Sequence, residues 1–243
     1  MHILSAHQPA YLPWLGLFHK IAISDTFVVF DTVQYLNEDF NHRNRIKIPF
    51  GSMWLTVPVV TKGRFPLLLR DAQIDNSKPW QKKHLKSIMQ RYSKAPYFKD
   101  YIRFFEELYS KKWDMLVPLC DTIFKYLLKE MRIHTKIIYA HQYKFQGKKS
   151  DLILDMCKQL DADLFIFGEM GQDYAKKEEY HKNRIIPYFQ KYNHPIYPQL
   201  YGKFIPNLST IDLLFNCGSR SLEIIMQGNI TREDLMKFYT TER

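Results

Sequence analysis

The start of the chain constrains the fold more than any other part, because two short apolar runs flank a helical segment. Residues 1–6 have the composition of a buried strand, and Pro9 and Pro13 prevent its continuation. Residues 14–23 have the apolar spacing of a helix. Residues 26–30 form a β-branched and aromatic run that is typical of a second buried strand. We therefore predict a βαβ crossover, in which ligands bind beyond the carboxyl ends of the strands.

Strand and helix patterns continue to alternate along the rest of the chain. The sequence predicts a hairpin around 49–52, strands at 67–74, 135–140 and 163–167, and a helix at 150–160. The long segment 80–132 has apolar residues at every third or fourth position, which predicts helices. The fold class expected is α/β, with a mostly parallel Rossmann-like sheet, helices on both faces and a helical insertion. We expect a single domain over 1–243, with 80–132 as a helical lobe.

Composition narrows the range of partners. The chain has 243 residues, of which 46% are hydrophobic and 15% aromatic, and this excludes a disordered protein. Its 35 basic and 25 acidic side chains give a net charge of +10. A basic surface favours an anionic partner such as a nucleotide, a sugar phosphate, tRNA or an anionic membrane face.

Cysteine usage and hydropathy predict a cytoplasmic protein. The three cysteines are odd in number and widely spaced in apolar surroundings, which is typical of a reducing compartment. The absence of a CxxC or paired Cys/His spacing argues against a structural zinc site, and we predict no metal ligands. No segment approaches the ~20 apolar residues that a membrane span requires, so no span is expected.

Polar side chains follow both strands of the opening unit. His7 and Gln8 come directly after the first strand, and Asp31 ends the second. A carboxylate in this position is costly unless it is hydrogen bonded or acts on a ligand, so Asp31 is the first candidate for a general base. His7 and Lys20 are the other catalytic candidates, and Gln8 is a candidate for substrate binding. The residues alone also allow a structural role, in which His7 and Asp31 cap their turns.

Two further segments supply candidates for substrate binding. Gln34, Asn44 and Arg45 combine neutral donors with a guanidinium, a set that recognises hydroxyls, carboxylates or phosphates. Beyond the strand at 163–167, glycines allow backbone amides to approach a ligand, and an acceptor and an aromatic platform follow. The residues of this second segment are Gly168, Gly171, Asp173 and Tyr174. Its structural alternative is a turn that needs positive φ.

The last candidates lie on a predicted helix near the carboxyl terminus. Ser209 has the character of an N-cap, and Asp212 and Asn216 are four positions apart on one side of the helix. These two residues either contact a ligand or hold the helix against the cleft. Cys217 lies in the same apolar motif, where an inert thiol is more common than a nucleophile.

Several unusual motifs occur in a fixed order along the chain. They are HQPAYLPWLGLFHKI at 7–21, DTFVVFDTVQY at 25–35, NHRNRIK at 41–47, WLTVPV at 54–59, FGEMGQDY at 167–174 and LSTIDLLFNCG at 208–218. Together they resemble the WbqC-like family over nearly the whole chain. Members of that family are known mainly from bacterial O-antigen and other surface-glycan gene clusters, and transfer of glycine or another aminoacyl group onto a sugar has been suggested for some. The resemblance favours a ligand-binding role for His7. Tyr11 and His19, in the first of these motifs, are further candidates for substrate binding.

Three functions are compatible with these features. The first is a transferase that moves an aminoacyl or acyl group onto an amino sugar or related intermediate, in glycan or natural-product biosynthesis. In it, Asp31 or His7 deprotonates the acceptor, and Arg45 or Lys20 holds an anionic donor carried by tRNA or a carrier protein. The second is an ATP-dependent adenylyl-transferring or ligating enzyme, since the motif at 7–21 loosely resembles a nucleotide-binding opening, although the HxGH spacing is absent. The third is a non-catalytic glycan or nucleic-acid binding module. The oligomeric state stays open.

Overall fold

The computed structural model describes residues 1–63 and 66–242. The strands are β1 (Ile3–His7), β2 (Thr26–Val29), β3 (Arg43–Ile48), β4 (Gly51–Thr56), β5 (Lys136–Tyr139), β6 (Leu164–Phe167) and β7 (Ile186–Phe189). The helices are α1 (Leu15–Ala22), α2 (Trp80–Tyr92), α3 (Phe98–Ser110), α4 (Leu116–Glu130), α5 (Ser150–Gln159), α6 (Lys177–Lys182), α7 (Thr210–Cys217), α8 (Ser221–Met226) and α9 (Arg232–Glu242). Among the described residues, no helix combines the length and the apolar character needed to cross a membrane.

Five parallel strands form the central sheet in the order β5-β2-β1-β6-β7. The strand order reverses between β1 and β6, which makes that junction the topological switch point where α/β proteins bind ligands. His7 pairs in register with Val29, and Val29 pairs with Tyr139, so these three residues form a row near the carboxyl edge. The predicted α/β, Rossmann-like fold is confirmed.

Side chains alternate between the two faces of this sheet, and each face is covered by helices. Phe27 and Val29 pack in one core cluster with Phe18 of α1 and Phe124 of α4. Val28, between them in the chain, packs in a second cluster that includes side chains of α5. The helix α4 therefore lies on the same face as α1, above β1 and β2. This arrangement brings the inserted helical segment to the carboxyl edge of the sheet.

The segment predicted to be helical, 80–132, comprises α2, α3 and α4. Its buried side chains join the same core cluster as those of α1 and β2, which supports our proposal of one domain with a helical lobe. The predicted hairpin is present as the antiparallel pair β3–β4. The strand expected at 67–74 is wrong, because this segment contains a short 3-10 helix at Leu69–Asp71 and only isolated bridges. Backbone amides of this segment donate to the carbonyls of Asp31 and Val33 instead of to a neighbouring strand.

Candidate functional site

A buried carboxylate and a half-exposed imidazole form a pair at the carboxyl edge of the sheet. Asp31 follows β2, and His141 follows β5, the neighbouring parallel strand. Oδ2 of Asp31 lies 2.5 Å from Nδ1 of His141, and Oδ1 of Asp31 accepts a hydrogen bond from the His141 backbone amide at 3.2 Å. The Asp31 side chain is 3% exposed and that of His141 is 45% exposed. Two contacts to one residue fix the imidazole relative to the carboxylate.

This geometry determines which nitrogen of the His141 ring carries the proton and which has a free lone pair. The carboxylate accepts, so Nδ1 carries the proton and donates to it. In the neutral imidazole, Nε2 then has the free lone pair, on the part of the ring opposite the carboxylate. Such a pair can accept a proton at His141 Nε2, while the Asp31 carboxylate stabilises the resulting imidazolium.

Three side chains extend the pair toward α4. The ring of Tyr139 lies 5.7 Å from that of His141, measured between centroids. The Tyr139 hydroxyl donates to Oδ1 of Asp121, whose Oδ2 lies 2.8 Å from Nζ of Lys125. The hydrogen bond to Asp121 raises the pKa of Lys125, and burial, reinforced by Asp121, raises the pKa of Tyr139. Both groups therefore keep their protons at neutral pH, and Asp121 is held between them.

A narrow cleft opens beside this network. Its cavity volume is about 20 Å³, which is room for about one water molecule. His7, Gln8 and Asp121 are its polar lining residues, and most of the remaining wall is apolar, from α1, β2 and α4. Because Asp121 both lines the cleft and accepts from Tyr139, the cleft is contiguous with the Asp31–His141 pair through side-chain contacts. The sheet thus brings His7, Gln8 and Asp31 to one edge, as the sequence predicted for the ends of parallel strands.

His7 is neutral at physiological pH. Burial lowers the pKa of its imidazole to about 4, and the nearby Lys20 ammonium acts in the same direction. Its Nδ1 donates to the Gln8 carbonyl at 2.7 Å. Since Nδ1 carries the proton, Nε2 is left as an acceptor for a donor group in the cleft. A neutral His7 is suited to hydrogen bonding rather than to holding an anion.

The two basic residues of α1 are used within the protein. Lys20 is buried, its Nζ donates to the Ala6 carbonyl at 3.1 Å, and burial lowers its pKa to about 8. His19 is also buried, with Nε2 donating to the Ile230 carbonyl at 3.0 Å and Nδ1 accepting from Gln190 at 2.8 Å. Lys20 therefore supports the backbone beside His7, and His19 has no ring nitrogen left for a substrate.

The loop between β1 and α1 is held by side chains that had been candidates for substrate binding. Asn44 is buried, and its amide nitrogen donates to the Leu12 carbonyl at 2.6 Å. Tyr11 is fully buried, and its hydroxyl contacts His84 Nδ1 at 2.7 Å and the hydroxyl of Tyr109. These contacts anchor the loop to the hairpin and to the helical lobe. We leave Asn44 and Tyr11 out of the proposed substrate-binding set.

Gln34 and Arg45 lie outside the cleft. Gln34 is exposed and forms an isolated bridge with Leu68. Arg45 is on β3, with its guanidinium 5.5 Å from the ring centroid of Trp54. Both residues stay available to a ligand that extends beyond the cleft.

The loop after β6 opens on the same edge of the sheet but does not line the cleft. Neither Gly168 nor Gly171 has a positive φ, so a turn that requires positive φ does not explain these two glycines. Gly171 is required because a Cβ there would lie 2.6 Å from the Cβ of Phe167, whereas Gly168 has open space around it. Asp173 and Tyr174 are exposed. We keep Gly168, Asp173 and Tyr174 as proposed contacts for the distal part of a substrate.

The polar residues of α7 face the interior. Asp212 is fully buried, and its carboxylate accepts from the hydroxyls of Tyr92 at 2.8 Å and Tyr197 at 2.9 Å. Burial raises the pKa of Asp212, and these hydrogen bonds oppose that shift. Asn216 donates to the Asp212 carbonyl at 2.7 Å. Of the two roles considered for this pair, the geometry favours the one in which they hold the helix in place.

Burial raises the pKa of Cys217 to about 11. The thiolate is the nucleophilic form of cysteine, and it is scarce at neutral pH when the pKa is raised. This supports the expectation of an inert thiol.

Sequence reasoning missed His141, Asp121 and Tyr139. His141 follows the strand predicted at 135–140, and the rule that selected His7 and Asp31, a polar residue just beyond a strand, also selects His141. Asp121 had no such signal, because it lies within a helix of the insertion, 18 positions from its partner Tyr139.

Comparison with known proteins gives a family but no named activity. The model of the WbqC-like protein family matches residues 8–224. The chain is also similar to an uncharacterized protein of Mycobacterium tuberculosis, Rv1507c, with 30% identity over 216 residues, which cover 88% of this chain and 93% of the relative. No solved structure matches this chain significantly.

Proposed function

Because the chain belongs to the WbqC-like protein family, we propose that it is a transferase that moves an aminoacyl or acyl group onto an amino sugar or a related intermediate. The observation that carries the proposal is the Asp31–His141 pair, with its buried carboxylate and half-exposed imidazole. Acyl transfer to an amine or hydroxyl needs a group that removes the acceptor's proton as the new bond forms. His141 Nε2 takes this role in the proposed reaction, and Asp31 is the positioning residue behind it.

The proposed reaction has two proton movements. The acceptor nitrogen attacks the donor carbonyl carbon, and its proton passes to His141 Nε2. The bond between the carbonyl carbon and the leaving group then breaks, and the leaving group takes a proton from the imidazolium. The Asp31 carboxylate stabilises the imidazolium between these steps, because a buried carboxylate interacts strongly with an adjacent positive charge.

Residues of the cleft supply orientation in this proposal. His7 offers a neutral acceptor at Nε2, and Gln8 lines the same wall. Tyr139 keeps its proton and is held by Asp121, so it is a fixed neighbour of the His141 ring. Lys20 acts by supporting the backbone at Ala6 rather than by holding a donor.

The test compares product formation for the wild type, His141→Asn and His141→Ala. Purified protein is incubated with glycyl-tRNA, glycyl thioesters or acyl-CoA as donors and with amino sugars or nucleotide-linked amino sugars as acceptors, and products are detected by mass spectrometry. We expect both variants to fold and to lose about 10²–10⁴-fold in kcat, the usual contribution of a positioned base. They should melt somewhat earlier than the wild type, because the buried Asp31 carboxylate loses its hydrogen bond from the imidazole. The matched control is His134→Asn, an exposed histidine before the amino end of the same strand β5, which should keep full activity.

Other outcomes would assign a different function. Exchange of pyrophosphate into ATP, dependent on an amino acid or carboxylate, would replace the proposal with the adenylyl-transferring alternative. Binding of glycans or nucleic acid without turnover of any donor would favour the binding module. Equal activity in His141→Ala and His134→Asn would remove His141 from the reaction.

A further inference from the structure

A compact cationic and aromatic surface lies on the β3–β4 hairpin. Arg43 and Arg45 are two positions apart on β3, so their side chains project from the same face of the hairpin. Their guanidinium carbons lie 4.5 Å and 5.5 Å from the ring centroid of Trp54, the cross-strand partner of Arg45 on β4. The Phe40 ring, 5.8 Å from that of Trp54, extends the same surface. We call these four residues the hairpin patch.

The two guanidinium groups have few partners in the protein. Within the described part of the chain, neither guanidinium takes part in a salt bridge. Arg43 Nη2 donates a hydrogen bond to the Glu38 carbonyl. The Nε atoms of both arginines are buried without a hydrogen-bond partner. The nearby Asp39 carboxylate accepts from the Phe40 amide through Oδ1 instead. Stacking on an indole occupies the flat face of a guanidinium, and because Nε is buried in both arginines, the remaining Nη–H groups form the edge that can bind a ligand. That edge matches the oxygens of a phosphate or a carboxylate.

Trp54 and Phe40 remain 43% and 44% exposed, although both are large aromatic side chains. Exposed aromatic rings beside arginines are the usual surface for ligands that carry phosphate next to a planar base. A protein with a net charge of +10 attracts such ligands from solution. The patch therefore has both parts of a nucleotide-type site, an oxyanion edge and a stacking surface.

The hairpin patch is connected to the cleft by the segment that precedes β3. Asn41 donates to Gln8 Oε1 at 3.0 Å and to the Pro9 carbonyl at 2.9 Å, and Gln8 lines the cleft. On the opposite face of β3, Asn44 is bonded to the Leu12 carbonyl. The same hairpin thus anchors the cleft loop on one face and presents the two arginines on the other.

From this arrangement we infer that the hairpin patch binds the phosphate groups of the donor's carrier, so that the donor is a nucleotide-bearing molecule. The inference rests on the proposed function, since it names the donor class for that reaction. The shared chemistry is phosphate adjacent to a base, and three sources offer it: coenzyme A, an adenylate and the end of an RNA.

Binding measurements test the inference separately from turnover. Coenzyme A, ATP and a short single-stranded RNA are titrated into the full-length wild type, and dissociation constants are measured by calorimetry at two salt concentrations. The test variant is Arg43→Gln/Arg45→Gln. The control is Arg103→Gln/Arg220→Gln, which removes the same net charge from two exposed arginines that pair with glutamates on other elements.

We expect at least one probe to bind the wild type and the test variant to bind it about tenfold to 100-fold more weakly, because charge-assisted hydrogen bonds are lost. The control should change binding less than threefold. The preferred probe identifies the carrier. Equal weakening of probe binding in the two double variants would overturn the inference, because it would show that binding depends on the net charge of the protein and not on Arg43 and Arg45. So would the absence of binding for all three probes.

A wild-type experiment covers the case in which the test variant does not fold. Arginine residues are modified with phenylglyoxal with and without the preferred probe, and the sites are mapped by mass spectrometry. Protection of Arg43 and Arg45, with Arg103 unprotected, supports the inference, and unchanged modification of Arg43 and Arg45 overturns it. If His141→Ala loses turnover but still binds the probe, the phosphate site on the hairpin patch is distinct from the proposed reaction site at His141. Absent turnover with a protected patch would count against the proposed reaction but not against the phosphate site.

Discussion

Replacing Asp31 by Asn should change the tautomer of His141, and this follows from two distances. The Asp31 carboxylate accepts twice from one residue, from the His141 amide at 3.2 Å and from Nδ1 at 2.5 Å. An asparagine at this position has one oxygen and one NH₂ group, so it cannot accept both hydrogen bonds. If its oxygen keeps the backbone contact, its NH₂ group faces Nδ1. The imidazole then accepts at Nδ1 and carries its proton at Nε2, where it no longer acts as a base.

The size of the effect differs for activity and for stability. Loss of a positioned base lowers the rate by about 10²–10⁴-fold. The fold exchanges two hydrogen bonds to a carboxylate, of about 1.5–3 kcal/mol each, for neutral ones of about 1 kcal/mol each, and part of this loss is offset because the buried side chain no longer carries a charge that must be desolvated. A net loss of about 1 kcal/mol lowers the melting temperature by roughly 2–4 °C in a chain of this size. Asp31→Asn should therefore fold, melt slightly earlier and turn over slowly.

Nitrogen NMR of ring-labelled histidine tests the tautomer directly. In its neutral form, the imidazole of His141 should be protonated at Nδ1 in the wild type and at Nε2 in Asp31→Asn, with kcat reduced in parallel. His134, which is exposed and lies before the other end of β5, is the internal reference and should not change. Full turnover in Asp31→Asn, or an unchanged His141 tautomer together with a large loss of rate, would refute this reasoning.

Two further predictions concern the fold. Gly171→Ala should lower the free energy of unfolding by about 1–3 kcal/mol in urea titrations, because the new Cβ would lie 2.6 Å from the Cβ of Phe167. The control Gly168→Ala should change the free energy of unfolding by less than about 0.5 kcal/mol, because Gly168 has open space around it and a φ of −73°. Equal losses in the two variants would contradict the packing argument. Burial lowers the pKa of Lys20 to about 8 from 10.5 in the unfolded chain, so between these values the unfolded state binds more protons and the contribution of this lysine to stability rises with pH. Unfolding free energies of the wild type minus those of Lys20→Met should therefore increase between about pH 8 and pH 10.5, and a flat difference would contradict the lowered pKa.

Local patterns predicted most of the sheet. The β-branched run that became β2 and the apolar runs that became β1, β5 and β6 are short and bounded by turn residues, and burial of such runs depends mainly on their own composition. Parallel strands place their carboxyl ends at one edge, so a polar residue that follows a predicted strand is a site candidate on sequence grounds alone. His7, Gln8 and Asp31 were found in this way. The expected strand at 67–74 was wrong because its backbone finds partners in the loop after β2, which no local pattern shows.

Only the tertiary structure decided the roles of the polar residues in apolar motifs. Tyr11 and Asp212 have the same sequence character as Asp31, but their partners are His84 and Tyr109 for the first and Tyr92 and Tyr197 for the second. The partner of Asp31, His141, is 110 positions away along the chain. Sequence periodicity indicates which face of a helix is apolar, because residues three or four positions apart lie on the same face. Which distant side chain meets a given polar group depends on strand order and helix packing. The sequence by itself therefore determined the fold class and the edge that carries the candidate site, and the packing of distant elements decided that the imidazole of His141 lies against Asp31.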